Sequence, residues 1–168
     1  MTSSLRAMAL IAWLGTAAPV LAQPANLPPP GGEKPIAFDV HEGTSMAVSA
    51  SPDGKWLAVD LQGSLWIIPA AGGKARRITD YFNDARQPVW APDGSHLLYF
   101  AYRDGGYDLW TIKPDGSDMR RLTQGAYDDR EPVYSPDGKT IAFSSDRSGN
   151  YDIWTMDVAT GAMKQISS

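Results

Sequence analysis

The sequence predicts an all-β protein that consists of three β-propeller blades, each a four-stranded antiparallel sheet. Trp66, Trp110 and Trp154 lie 44 positions apart (110 − 66 and 154 − 110). Each of them follows a Pro-Asp-Gly turn, and these turns begin at Pro52, Pro92 and Pro136. Short runs rich in β-forming residues separate the turns. A repeat of this length, with such turns and short strands inside it, is typical of propeller blades.

The second repeat illustrates one blade. Its apolar runs predict four strands, at residues 87–90, 96–100, 107–112 and 119–123. The turn Pro92-Asp93-Gly94 closes the first pair, because proline presets φ, aspartate binds nearby backbone and glycine accepts a positive φ. Polarity rises from the first strand to the last. This order is expected in a blade, because its last strand is an edge that meets water.

The other two repeats differ in length. The third matches the second almost residue for residue, whereas the first is four residues shorter between its turn and its tryptophan. Asp53 and Trp66 are 13 positions apart (66 − 53), but Asp93 and Trp110 are 17 apart (110 − 93). We therefore expect the first blade to have a shorter middle hairpin.

The N-terminal residues carry an export pattern. Residues 1–22 predict a signal peptide, with Arg6 before an apolar run at 8–14 and a small-x-small cleavage site ending at Ala22. A retained membrane anchor is the alternative, but the run is short for a bilayer span. We expect no stable membrane insertion after cleavage, and export to the periplasm. Residues 23–35 predict a Pro/Gly-rich linker, and the repeats occupy 36–168.

The number of blades raises a further question. Three blades are fewer than the four to eight that close a propeller ring. We expect this arc to be part of a larger propeller, whose remaining blades come from the same longer chain or from self-association. The apolar run Ile36–Val40 occupies an outer-strand position without inner strands of its own. It predicts either a strand that completes the last blade or a plain edge strand.

The repeat sequence resembles a known family. The string SPDGKTIAFSSDRSGNYDIW, at 135–154, resembles the repeat of TolB-like propellers, which are relatives of WD repeats, and the resemblance extends over 47–168. Two further strings, at 42–54 and 61–73, are similar to the N-terminal propeller of secreted metal-dependent amidohydrolases. The resemblance implies a ring of six or seven blades, of which this chain supplies about half.

Composition and motifs argue against chemistry within these residues. The chain has two histidines, His41 and His96, and no cysteine, and it contains no metal-binding, nucleophile-elbow or phosphate-loop motif. We therefore predict no catalytic residues, no metal ligands and no cofactor. The formal net charge is −4 without a basic cluster, which argues against a nucleic-acid partner.

The topology of a propeller predicts where binding takes place. Links between blades share one face with the middle hairpins, beside the mouth of the central channel, and the Pro-Asp-Gly turns lie on the opposite face. Loops on a rigid scaffold commonly carry recognition. The candidate binding residues on the first face are Asp84, Arg86, Arg103, Asp128, Arg130, Glu131 and Arg147. Two interpretations stay open, namely exposed ion pairs that bridge blades and a carboxylate-rich funnel for a cation or a basic peptide.

Three functions are consistent with these features. The first is a non-catalytic, exported propeller module that binds a protein or peptide in the periplasm. The second is the N-terminal propeller of a secreted metal-dependent amidohydrolase whose catalytic domain lies beyond residue 168. The third is an oligomeric scaffold assembled from three-blade chains.

Overall fold

A computed structural model describes residues 45–103 and 105–168 of the 168-residue chain. Its secondary structure over these residues consists of twelve β-strands and no helix. Consequently, the described part of the chain offers no helical segment that could cross a bilayer. The predicted signal peptide at 1–22, the linker at 23–35 and the strand Ile36–Val40 lie outside the described residues.

The strands form three four-stranded sheets, which we call the first, second and third blades. The first blade contains β1 (Val48–Ala50), β2 (Trp56–Leu61), β3 (Ser64–Pro69) and β4 (Arg76–Arg77). The second contains β5 (Ala85–Trp90), β6 (Leu97–Arg103), β7 (Gly106–Ile112) and β8 (Arg120–Arg121). The third contains β9 (Asp129–Tyr134), β10 (Thr140–Ser145), β11 (Asp152–Asp157) and β12 (Met163–Gln165).

Each sheet keeps its strands in chain order, and every neighbouring pair is antiparallel. The predicted fold, three four-stranded antiparallel blades, is therefore confirmed. The outer strand of the second blade is shorter than the sequence predicts, because only Arg120 and Arg121 pair in the ladder with β7. Leu122 adds one more backbone hydrogen bond, to Leu109, before the chain leaves the sheet.

The middle hairpins differ as the repeat lengths predict. In the first blade, Leu61 pairs with Ser64, and the loop between them is only Gln62 and Gly63. Both loop residues have positive φ, 51° and 71°, as a type I′ turn requires. In the third blade, Ser145 pairs with Asp152, so six residues form the loop.

Two apolar clusters join the blades. Between the first and second blades, Leu65 and Ile67 share a buried cluster with Tyr99 and Trp110. Between the second and third blades, the corresponding cluster contains Leu98, Phe100, Leu109, Ile141, Phe143 and Met156, with Trp154 packed against it. In each contact, the sheet face that carries the repeat tryptophan, Trp110 or Trp154, therefore packs against the preceding blade.

The two ends of the blades carry different loops. The Pro-Asp-Gly turns are neighbours at one end, since a Cβ placed on Gly94 would lie 3.7 Å from Pro52 and one on Gly138 would lie 3.6 Å from Pro92. We call this end the turn face. The opposite end, the link face, comprises the links at 79–86 and 123–130 and the three middle hairpins. There, the backbone N–H of Ala85 donates to the carbonyl of Gly63 at 2.9 Å.

Candidate binding surface

The link face repeats an Asp-x-Arg pair where two links enter the inner strands β5 and β9. Arg86 forms an ion pair with Asp84 at 3.0 Å, and Arg130 forms one with Asp128 at 2.6 Å. Each pair joins two residues of the same link, two positions apart, rather than residues of two blades. The side chains are all partly exposed, so the energy of the pairs alone is small, about 0–1 kcal/mol each.

Asp128 accepts hydrogen bonds from both neighbouring blades. The backbone N–H of Tyr107 donates to it at 3.0 Å, the Tyr151 hydroxyl at 3.3 Å and Arg130 at 2.6 Å. Burial raises the pKa of Asp128, but the bonds from Tyr107 and Arg130 outweigh that effect, so the pKa is lowered overall. The carboxylate is therefore ionised at neutral pH and joins the second and third blades.

Asp84 occupies the equivalent place in the preceding link. It accepts hydrogen bonds from the Tyr107 hydroxyl at 3.0 Å and from Arg86 at 3.1 Å. Burial, and next the hydrogen bond to Asp84, raise the pKa of Tyr107. Tyr107 therefore keeps its proton and holds the Asp84 carboxylate from one side, while Arg86 holds it from the other.

A tyrosine covers one arginine but not its repeat equivalent. The guanidinium carbon of Arg130 lies 4.2 Å from the centre of the Tyr107 ring and 5.9 Å from that of Tyr151. Among the described residues, no ring stacks on Arg86, because the position 44 residues before Tyr107 is Gly63, in the short hairpin of the first blade. The second link consequently has a stacked cation, whereas Arg86 is the more exposed of the two arginines.

Arg103 and Arg147 are placed deeper on this face. Arg103 forms an ion pair with Asp80 at 2.8 Å, and Arg147 forms one with Asp129 at 2.6 Å. The side chains of the two arginines are only 12% and 15% exposed, and those of the acids are almost fully buried. Arg147 also lies 5.1 Å from the centre of the Trp154 ring. These two arginines therefore hold hairpins and links together and offer little charge to solvent.

Glu131 carries the candidate charge that has the fewest interactions within the described residues. It is exposed, has a φ of 53° and lies where β9 departs from regular pairing with β10. Among the described residues, its carboxylate has no ion-pair partner. Gln87, its equivalent in β5, has a φ of 48° and lies in the matching bulge. Such bulges turn a side chain away from the regular strand direction.

Asp60 also connects blades, and sequence reasoning did not select it. Its carboxylate accepts the backbone N–H of Ala47 and the backbone N–H of Gln87, both at 2.7 Å. The first is in its own blade and the second is in the next. Asp60 is a single buried acid without an equivalent in the other repeats, so it forms no sequence motif. Only the folded geometry reveals that it connects two blades.

Exposed aromatic side chains complete the link face, and they too were absent from the sequence-based candidates. The exposed aromatic residues of the links and hairpins are Tyr81, Phe82, Tyr102, Tyr127 and Tyr151. Tyrosine is enriched in the centres of protein interfaces, as is arginine. The signal available in the sequence was the repetition of Tyr107 at Tyr151.

The described residues do not contain a group of three histidine, cysteine or acidic side chains with the geometry to hold a metal ion. The link face presents charged side chains and aromatic rings that are held on a framework of β-sheets.

Comparison with protein families assigns this architecture to a known class. The family model of the TolB beta propeller domain matches residues 34–168. Because this match covers most of the sequence, the chain belongs to the TolB β-propeller family. The resemblance of the repeats to TolB-like propellers is thereby confirmed.

Individual proteins are similar over parts of their length. The chain is similar to TolB from Acinetobacter baumannii, with a TM-score of 0.65 and 26% identity over 79% of this chain and 34% of that one. The fold also matches a puromycin hydrolase, with a TM-score of 0.63 and 15% identity over 79% of this chain and 23% of that one. The uncharacterized peptidase YuxL of Bacillus subtilis (strain 168) is 42% identical over 53 residues, which are 29% of this chain and 8% of that protein.

Proposed function

We propose that this chain is an exported propeller module that binds a protein or a peptide through its link face. The observation that supports this most directly is the cluster of Asp84, Tyr107, Arg130, Asp128 and Tyr151, joined by the hydrogen bonds and ring contacts given above. The cluster brings fixed charges and partly exposed rings together on one end of a rigid sheet arc.

The physical argument is one of preorganisation. Side chains that are already held in place lose little conformational entropy when a partner binds. Arg130 is held by Asp128 and by the Tyr107 ring, and the exposed Tyr151 ring lies 5.9 Å from its guanidinium carbon. Arg86 adds an accessible positive charge, and Glu131 adds an accessible negative charge. A peptide with both charged and apolar side chains fits this combination.

The periplasmic location is part of the proposal. It is supported by the export pattern at residues 1–22 and by membership of the TolB β-propeller family. Non-catalytic action within this chain is supported by the lack of a catalytic motif in its sequence.

The alternative is that the chain is the propeller portion of a longer hydrolase. The names of two similar proteins, a peptidase and a puromycin hydrolase, favour this possibility. The chain spans 8% and 23% of those two proteins, so they contain much sequence beyond the matched part. The resemblance of residues 42–54 and 61–73 to amidohydrolase propellers supports a metal-dependent amidohydrolase as another form of the same alternative. In either form, the propeller would position or admit substrate.

A peptide-library selection tests the binding proposal. Peptides selected on the 168-residue chain should bind at least about tenfold more weakly to the link-face triple variant Arg86→Ala, Glu131→Ala, Tyr151→Ala, a difference of about 1.4 kcal/mol. Asp128 is kept in this variant because it joins two blades. Asp137→Ala, on the turn face, is the matched control and should bind as the wild type does. Equal losses in both variants would contradict the choice of surface.

Hydrolysis assays test the non-catalytic part separately. The purified chain should not turn over aminoacyl p-nitroanilides or N-acyl amino acids, with or without added zinc. Zinc-dependent turnover that is retained through purification would refute this part. A peptidase activity that requires sequence beyond residue 168 would favour the alternative.

A further inference from the structure

A cavity on the turn face lies at the boundary of the first and second blades. Its volume is about 460 Å³, and Trp56, Trp90, Pro52 and Pro114 form apolar walls. This volume is within the range of about 300–1,000 Å³ that is usual for ligand pockets. Because it lies at the opposite end of the blades from the link face, the inference that follows does not depend on the proposed function.

The two tryptophans differ in how firmly they are held. Trp90 is buried, and its indole N–H donates to the carbonyl of Ser49 at 3.1 Å, which fixes the ring across the blade boundary. Trp56 is 44% exposed at the cavity. The cavity therefore has one rigid aromatic wall and one aromatic ring whose face is available to a ligand.

Two carboxylates in the cavity lining, Asp93 and Asp115, form no close ion pair with a described residue. Asp93 accepts hydrogen bonds from the hydroxyl and the N–H of Ser95, at 2.6 and 2.9 Å. Asp115 accepts the same pair of bonds from Ser117, at 2.6 and 2.8 Å. The serine hydroxyls are the main reason that the pKa values of both acids are lowered. Neither carboxylate forms an ion pair with a described residue, but attraction to nearby basic side chains contributes to the lowered pKa values of both.

The remaining charges in the lining offset only part of this negative charge, because Arg76 faces three carboxylates, Asp53, Asp93 and Asp115. Arg76 donates to backbone carbonyls, to Pro114 at 2.7 Å and to Asp115 at 3.0 Å, and so fixes the loop that carries Asp115. Asp53, also in the lining, forms an ion pair with Lys55 at 3.4 Å. The cavity consequently combines a net negative charge with aromatic and prolyl walls.

We propose that this cavity binds an arginine-bearing segment of a peptide partner, with the guanidinium between Asp93 and Asp115 and its flat face on Trp56. Arginine matches both features, because it pairs with carboxylates and stacks on tryptophan. Charge complementarity selects against acidic segments, since they would place like charges together. A proline beside the arginine would pack on the apolar walls.

The probe is a synthetic peptide, acetyl-Gly-Pro-Arg-Pro-Arg-Gly-amide, titrated into the 168-residue chain by calorimetry at low salt. The comparison peptide has both arginines replaced by glutamine. We expect the double variant Asp93→Asn, Asp115→Asn to weaken binding of the arginine peptide about tenfold, since two partly exposed charge pairs are lost. Asp137→Asn is the matched control, because Asp137 occupies the equivalent turn of the third blade outside the cavity. It should leave the affinity unchanged.

A second readout locates the site. Trp56→Phe should weaken binding several-fold and reduce the change in tryptophan fluorescence that accompanies titration of the wild type, leaving the part that comes from Trp90. Three results would each overturn the proposal, namely no binding by the wild type, equal binding of the glutamine peptide, or equal losses in the double variant and in Asp137→Asn. So would sedimentation showing a dimer that dissociates on Trp56→Ala, since the cavity would then be occupied by a second copy of the chain.

Discussion

The carboxylate of Asp128 accepts the backbone N–H of Tyr107 at 3.0 Å, across the boundary between the second and third blades. At the boundary between the first and second blades, a backbone pair takes this place, from Ala85 to Gly63. Side-chain carboxylates therefore join the blades at both boundaries, Asp60 at the first and Asp128 at the second, and the first boundary has the backbone bond in addition. This makes Asp128 part of the framework as well as of the link face.

Replacing Asp128 should reveal this framework role. Asp128→Ala leaves the Tyr107 N–H without its acceptor, and we expect a loss of about 1–3 kcal/mol in the free energy of unfolding. Asp128→Asn keeps an acceptor oxygen at the same place and should lose less. Urea denaturation followed by near-ultraviolet circular dichroism measures both. Identical losses in the two variants would show that the charge of Asp128, rather than the bond to Tyr107, stabilises the boundary.

The buried pair of Arg147 and Asp129 should matter more than its exposed counterpart. Arg147→Met leaves the Asp129 carboxylate almost fully buried without its cation, and we expect a loss of about 3–5 kcal/mol. Arg86→Met removes an exposed pair and should change stability by less than about 1 kcal/mol. Urea denaturation of the two variants measures both losses in the free energy of unfolding. A larger effect at Arg86 would reverse our assignment of which arginine supports the fold.

The repeat tryptophans are predicted to stabilise the contact between blades. Trp110 is 8% exposed and lies in the cluster between the first two blades, so Trp110→Ala should cost about 3–5 kcal/mol. Trp56→Ala, at an exposed ring, should cost less and serves as the control. Thermal and urea unfolding of both variants provide the test, and similar costs would contradict the proposed packing.

The acids of the Pro-Asp-Gly turns should titrate below their usual range. The Ser135 hydroxyl, at 2.6 Å, is the main cause of the lowered pKa of Asp137. A carboxyl whose pKa is lower in the folded state stabilises the fold above its unfolded pKa, about 3.9, and this stability is lost as the pH falls through the folded value. Carboxyl carbon NMR should show the pKa of Asp137 rising in Ser135→Ala and staying constant in Ser117→Ala. An unchanged value in Ser135→Ala would exclude the hydroxyl as the cause.

The sequence predicted the blades well because their signals are local and repeated. A turn such as Pro92-Asp93-Gly94 and a hairpin as short as Gln62-Gly63 define strand ends without reference to distant residues. The ion-pair partners of the charged residues were harder to predict from the sequence. Arg103 and Arg147 are repeat equivalents, yet one pairs with Asp80, near the start of its link, and the other with Asp129, the first residue of β9. Their acids occupy different repeat positions, so no period identifies them.

The turn-face cavity was also beyond sequence reasoning. Trp56 and Asp93 belong to different blades and line one cavity where the turns of the two blades pack together, with Pro52 beside Gly94. Similarly, the ring contact of Arg130 with Tyr107 joins a link to the hairpin of the preceding blade. Such contacts between blades depend on how two sheets are stacked, which a repeat pattern does not specify.

The most direct test of recognition at the link face is an NMR map of the 168-residue chain with a peptide selected from a random library. We predict that amide shifts concentrate at the two Asp-x-Arg links, 84–86 and 128–130, and at Glu131 and Tyr151. The link-face triple variant should lose these shifts while its melting temperature stays close to that of the wild type. Shifts confined to the Pro-Asp-Gly turns, or unchanged binding by the triple variant, would contradict the assignment of recognition to the link face.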